Sequence, residues 1–284
     1  MRKKVGLFAA LGSAFASAPR LFFGGFLAIA LYMGLEILRA NLHKESPTYP
    51  LGTLGLSLLA IVTQVILATA LYQLALKREG VGLLGLGVSA NHFRLLASVF
   101  LQGMLLGVVF GLFSLIAFAV TAFTKHSGPM PPVRWDSWEG ILAAASNPVY
   151  LATAVAWGIG ILICAVVFAR MSLATPATIA RSQVIVTTSF DLTHGSTIPL
   201  LVGLFVTALL PAILWGVGSR WVELDAHAVT QWTGGVISPA WLQTGLKTLL
   251  TDALSQVLSI GFLAGAYRQV SPPRAGSAPA DIAA

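Results

Sequence analysis

The sequence is short of charge and nearly free of cysteine. Charged residues make up 10% of its 284 residues, with ten acids against seventeen bases. Soluble domains carry about 25%. So thin a supply cannot cover a water-soluble fold of this length, which excludes an ordinary globular domain. The one cysteine, Cys164, lies inside an apolar run. It excludes an internal disulfide and any paired-cysteine metal or redox site, and reads as a small packing residue. The bases are spread between apolar runs and form no stripe, so the net charge of +7 does not point to nucleic acid.

Familiar chemistry is also missing. His43, His92, His126, His194 and His227 do not cluster and lack metal-ligand spacing. There is no GxSxG elbow, P-loop or dinucleotide fingerprint. Neither an enzyme nor a cofactor is expected.

What the chain has is apolar length, with 56% hydrophobic residues. A helix needs about 20 apolar residues to cross the hydrocarbon core. Six runs qualify: Leu21–Ala40, Leu51–Leu76, Leu95–Phe123, Val149–Ala169, Ile198–Val217 and Leu249–Tyr267. They are continuous and lack the period-two alternation of barrel strands. The expected fold is all-α: a polytopic membrane bundle of about six transmembrane helices, with interfacial amphipathic helices.

Lys and Arg set the orientation. With the N-terminus inside, the inner segments hold Arg2, Lys3, Lys4, Arg20, Lys77, Arg78, Arg94, Arg170, Arg181, Arg268 and Arg274. The outer segments hold Arg39, Lys44, Lys125, Arg134, Arg220 and Lys247, several beside acids. Both termini are therefore expected inside. Trp135, Trp138, Trp215, Trp221, Trp232 and Trp241 then all fall on the outer side, where an indole suits the interface.

The first residues mimic a secretory signal, with Arg2-Lys3-Lys4, an apolar stretch and Ala16-Ser17-Ala18. Pro19 would hinder cleavage there, so an interfacial helix is preferred. Its membrane face would carry Val5, Phe8, Gly12 and Phe15. The organisation is thus an amphipathic helix over 1–20, a transmembrane domain over 21–267 and a disordered tail over 268–284. Two further surface helices are expected, Trp135–Ser146 outside and Arg181–His194 inside, the second closing on Gly195.

Two features could carry function. Gly103, Gly107 and Gly111 form a ridge on the third span, and Gly261 and Gly265 a shorter one on the sixth. Small residues at this spacing let helices approach closely in lipid. The partner could be within the chain or in a second copy. Polar residues inside spans are the other feature: Glu36, Gln64, Asp252 and Gln256. A central acid costs about 2.5–3.5 kcal/mol on insertion scales, so these residues should face protein or water. They would build an outward-facing vestibule for a cation, a proton or a lipid headgroup. Alternatively, Glu36 pairs with Arg39, and Asp252 reaches the interface near Lys247.

One stretch resembles a family. From Ala169 onward, Arg170, Pro176, Ser189, Phe190, Leu192, Thr193 and Gly195 follow a pattern of uncharacterised bacterial six-helix membrane proteins. These include the YciC type and the membrane domain of some glycerophosphodiester phosphodiesterases. Gly85, Gly87 and Arg94 fit the same family's inner loop. Phe190 stands where tryptophan is common, and His194 where a basic residue is common. No phosphodiesterase domain accompanies the stretch, so that activity is not implied. The resemblance implies a multi-pass bacterial inner-membrane protein of envelope or lipid homeostasis. Its expected partners are membrane lipids and another membrane protein or itself. A small transporter using Glu36 and Asp252 is the alternative.

Overall fold

In hydrocarbon a backbone has no water to bond, so each apolar run closes its own hydrogen bonds as a helix. A computed structural model of the chain describes residues 4–40, 49–76, 89–125, 139, 146–219, 228–229, 231, 234–235 and 239–271. Among them the elements are all helical. They are α1 (Leu7–Gly24), α2 (Phe26–Ala40), α3 (Tyr49–Ala75), α4 (Ala90–Lys125), α5 (Pro148–Met171), α6 (Ala174–Arg181), α7 (Ser189–Leu192), α8 (Thr197–Gly218) and α9 (Pro239–Lys247). A π-helical turn (Thr248–Ala253) then leads into α10 (Leu254–Val270). Six stretches are long and apolar enough to cross a membrane: Leu7–Gly24, Leu54–Ala75, Ala90–Val120, Tyr150–Arg181, Thr197–Gly218 and Trp241–Val270.

The first of these differs from expectation. The run Leu21–Ala40 is not one helix, because it breaks at Gly25 between α1 and α2. The cause is the approach of α3. A Cβ on Gly24 would stand 2.8 Å from Leu74 Cδ1, and one on Gly25 2.9 Å from Leu71 Cδ2. A side chain at either position would force the ends of those leucines to shift.

Helix α1 also sits differently. Its small residues dock on α10, where a Cβ on Gly261 would meet Ser17 Oγ at 2.9 Å and Ala14 Cα at 3.1 Å. A Cβ on Gly265 would meet Ser13 Oγ at 2.8 Å. Ala10 and Ala14 are fully buried by this contact, while Phe8 and Phe15 point outward. Val5, expected on the same outward face, is buried instead. Its N–H donates to Ser196 Oγ at 2.9 Å, and the Gly6 N–H donates to Gln269 Oε1 at 2.6 Å. Side chains 191 and 263 positions away thus serve backbone donors at the start of α1.

The short helix α6 lies inside the bundle, with Ala174, Pro176, Ala177, Thr178 and Ile179 buried. Thr178 is its anchor. Its hydroxyl accepts the Ile185 N–H at 3.0 Å and lies 3.3 Å from Ser98 Oγ. Ser98 in turn donates to the Ile185 carbonyl at 3.2 Å. Gln102 Nε2 reaches Ser98 Oγ at 3.0 Å, and the Tyr72 hydroxyl bonds Thr175. These bonds bring together segments that the charge pattern assigns to one side of the membrane.

They also explain why Arg181–His194 is not one helix. Ser182 takes a left-handed conformation, with φ 54° and ψ 37°, and ends α6. Thr178 then holds the chain at Ile185, and only Ser189–Leu192 turns helical again. Gly195 has φ +75°, as its position after the last turn requires. At the far end, α10 runs on to Val270, past the expected boundary at 267. The expected helix Trp135–Ser146, except Glu139 and Ser146, and the tail beyond Ser271 lie outside the described residues.

The two glycine ridges fare differently. Gly261 and Gly265 meet α1, as above. Around Gly103, Gly107 and Gly111, no atom comes within 4 Å of an added Cβ. Helix α4 instead turns Phe113 toward Gly160 of α5, 3.0 Å from a Cβ there, and sets Phe110 against Trp157. The expected packing at Gly103, Gly107 and Gly111 is therefore not made within the described chain. Gly107→Ala should leave the monomer as stable or raise its stability by up to about 1 kcal/mol through helix propensity. A thermal melt in detergent measures this, and a marked loss would reveal a neighbour.

Candidate functional site

Tyr32, Glu36 and Arg39 recur at helical spacing on α2, so they share one side of it. Tyr32 is buried at 8% exposure. Arg39 Nη2 reaches Glu36 Oε2 at 2.7 Å, which is the pairing expected as the bland role for Glu36. Across from α2 lies the π turn that holds Asp252. The Tyr32 hydroxyl feels the charges of Glu36 and Asp252 and of Arg39. The two acids thus come from opposite ends of the sequence, one on α2 and one on the π turn.

The π turn matters locally. Such turns insert a residue into a helix and often mark functional positions. Here the Thr251 hydroxyl donates to the Lys247 carbonyl at 2.8 Å and lies 3.1 Å from Asp252 Oδ1. Lys247 itself is exposed. One helical turn beyond Asp252, Gln256 Oε1 is buried with no hydrogen-bond partner. Gln64 behaves differently. It is exposed on α3, while its neighbour Thr63 is buried and satisfied by the Leu59 and Ala60 carbonyls.

Beside this cluster runs an apolar groove of about 400 Å³. Phe22, Phe26, Ile29, Ala30, Met33, Gly34 and Ile37 line it from α1 and α2, and Leu249 closes it from the π turn. Gly34 leaves its floor open, with nothing within 4 Å of an added Cβ. Along α2, from Phe26 to Ile37, the groove runs for about 16 Å, at 1.5 Å per residue. Glu36 and Arg39 flank Ile37 in sequence, and Lys247 and Asp252 flank Leu249, but none of the four is among the groove's lining residues.

The stretch that carried the resemblance forms a separate feature. Arg170 ends α5 and donates from Nη2 to the Phe190 carbonyl at 3.1 Å, with its guanidinium carbon 5.2 Å from that ring's centre. The Thr193 hydroxyl returns a bond to the Arg170 carbonyl at 3.0 Å. Arg170, Phe190 and Thr193 therefore tie α5 to the turn before α8.

Among the described histidines, His92 is buried, and its Nδ1 lies 2.9 Å from the Ser89 backbone N. His194 is exposed. His43, His126 and His227 lie outside the described residues. Among the described residues, no three His, Cys, Asp or Glu gather as metal ligands. Cys164 is a free, half-buried thiol.

Sequence reasoning found the two acids but missed Tyr32, Thr251 and the groove. Tyr32 could have been found four residues before Glu36, on the same face. The groove had a weaker signal in Phe22, Phe26, Ile29, Met33 and Ile37, which repeat every three or four residues.

No protein-family model, curated protein or solved structure matches this chain.

Proposed function

We propose that this chain is a non-enzymatic, multi-pass protein of a bacterial inner membrane that holds lipid and serves envelope or lipid homeostasis. Both termini face the cytoplasm in this reading, on the balance of Lys and Arg. The apolar groove along α1 and α2 carries the proposal. Its lining residues are apolar or glycine, and the abundant apolar ligand in a bilayer is an acyl chain. A length of about 16 Å along α2 spans half of the roughly 30 Å hydrocarbon core, the depth of one leaflet's acyl chains. The resemblance to uncharacterised bacterial six-helix proteins of the YciC type agrees with this reading.

Gly34→Trp tests it, because an indole would fill the open floor of the groove. Native mass spectrometry of the purified variant should show retained phospholipid reduced at least about tenfold. The unfolding temperature should stay unchanged. Equal retention by variant and parent would sink the idea.

A second reading, a small transporter, draws on two acids within apolar helices, Glu36 on α2 and Asp252 in the π turn. A proton or cation flux in liposomes that Asp252→Asn abolishes would favour it.

A further inference from the structure

Gln64 sits where a polar side chain is hardest to satisfy. It lies near the middle of the apolar stretch Leu54–Ala75, and it is exposed. At 1.5 Å per residue, roughly 15 Å of helix separates it from either end. A glutamine side chain is too short to reach water over that distance. Its polar neighbours satisfy themselves. The Thr63 hydroxyl donates to the Leu59 carbonyl at 2.8 Å, and the Thr69 hydroxyl to the Val65 carbonyl at 2.7 Å. Gln64 makes no hydrogen bond among the described residues. Its carboxamide carries two N–H donors and a carbonyl acceptor, and acyl chains can bond neither.

The residues around it form a seam. Leu54, Ser57, Ile61, Gln64 and Ala68 recur at alternating steps of three and four, and each is exposed or half-buried. That is the heptad spacing of two helices packed side by side. Ser57 and Ala68 are small, which lets a second backbone come close. We infer that α3 is the contact between two copies of this chain, related by a two-fold axis along the membrane normal. Copies inserted in one orientation hold Gln64 at the same depth. A carboxamide is self-complementary, so each N–H donates to the other's carbonyl and two bonds form. Another partner would need a polar group at this same depth, whereas a second copy supplies it by symmetry. One polar residue in an apolar seam also fixes the register of the pair. Gly103, Gly107 and Gly111 lie open too, but a ridge of small residues does not name its partner.

The test uses the full chain, carrying donor or acceptor fluorophores at its C-terminus, in phospholipid vesicles over a range of protein-to-lipid ratios. Energy transfer between copies reads the pairing. The parent should pair, and Gln64→Leu should weaken pairing about tenfold, the scale of two hydrogen bonds between helices in lipid. Gln64→Asn keeps the carboxamide and should weaken it less. A thermal melt in detergent should be the same for Gln64→Leu and the parent, since nothing within the described chain bonds the amide. A second measurement leaves Gln64 in place. With Cys164→Ser removing the native thiol, Ile61→Cys should form a disulfide between copies under mild oxidation. Leu59→Cys, exposed on the opposite side of α3, should not. Monomers at every ratio, or pairing as tight in Gln64→Leu as in the parent, overturns the inference. So does pairing that Gly107→Leu abolishes and Gln64→Leu spares, or a disulfide at Leu59→Cys without one at Ile61→Cys.

Discussion

Gly203→Leu is expected to destabilise the bundle by about 3 kcal/mol or more. The ring of Phe262 occupies the space that a Cβ on Gly203 would take. Phe262 is fully buried, so its ring has no free volume to move into. Two effects compete on substitution. A larger residue gains up to about 1 kcal/mol of helix propensity over glycine. Overpacking a filled core costs about 1–3 kcal/mol, occasionally more. The second wins, and a leucine adds more volume than the minimum. A thiol-reactive dye can follow the melt, since Cys164 is the single cysteine and is half-buried. Phe262→Leu should partly restore the variant, because it removes the atoms in conflict. The double change should then be milder than the two single changes added together, by about 0.5–3 kcal/mol. A Gly203→Leu protein that melts with the parent would show that the two helices do not cross here.

The second large effect is expected at Gly261. An added Cβ there meets Ala14 Cα at 3.1 Å and the Ala14 carbonyl oxygen at 3.3 Å. These are backbone atoms and cannot rotate away. Gly261→Leu must therefore push α1 off α10. That displacement breaks the bonds from Gly6 N–H to Gln269, from Val5 N–H to Ser196, and from Arg268 Nη2 to Ser13 Oγ. The damage should be local, because Thr178, Ser98 and Gln102 bind the other elements without α1. Amide exchange across residues 7–14 should accelerate roughly 100-fold, the equivalent of about 3 kcal/mol of docking energy. Exchange in α8 should change little. Protection of residues 7–14 equal to that of the parent would refute the close docking of α1. Gly107→Leu serves as a control of the same chemistry, since nothing stands within 4 Å of its added Cβ.

These glycines also show what a sequence can reveal. Small residues four apart announce that a helix can approach another closely. They do not say which helix, or whether one is present. Gly261 and Gly265 find Ala14, Ser17 and Ser13, some 250 residues earlier. Gly103, Gly107 and Gly111 have the same spacing and find no neighbour among the described residues, while α4 packs Phe113 on Gly160. The apolar runs were legible because hydrocarbon solvates every residue of a run alike. The break at Gly25 was not, because the leucines packed against it, Leu71 and Leu74, come from another helix.

The candidate site divides in the same way. Glu36 and Asp252 stood out because a carboxylate in an apolar run is expensive. Tyr32 did not, since its ring blends into the run. Gln64 was picked out by the same cost but lies exposed on α3, so the bundle does not shelter its amide as that cost led one to expect. The groove was hidden, because it depends on a side chain that Gly34 lacks and on Leu249 arriving from the other end of the chain.

The docking of α1 on α10 also dictates an order of assembly. Gly6 and Gln269 are 263 positions apart, and a ribosome adds about 5–20 residues per second. Helix α1 therefore waits roughly 15–50 s after synthesis before its partner exists. Throughout that interval the face of Ala10, Ser13, Ala14 and Ser17 stays uncovered. Its residues are small and only weakly polar, so it offers a passing helix little to grip. The side of α1 that faces α10 thus stays open until α10 emerges, while Gly24 at its end already packs on Leu74 of α3.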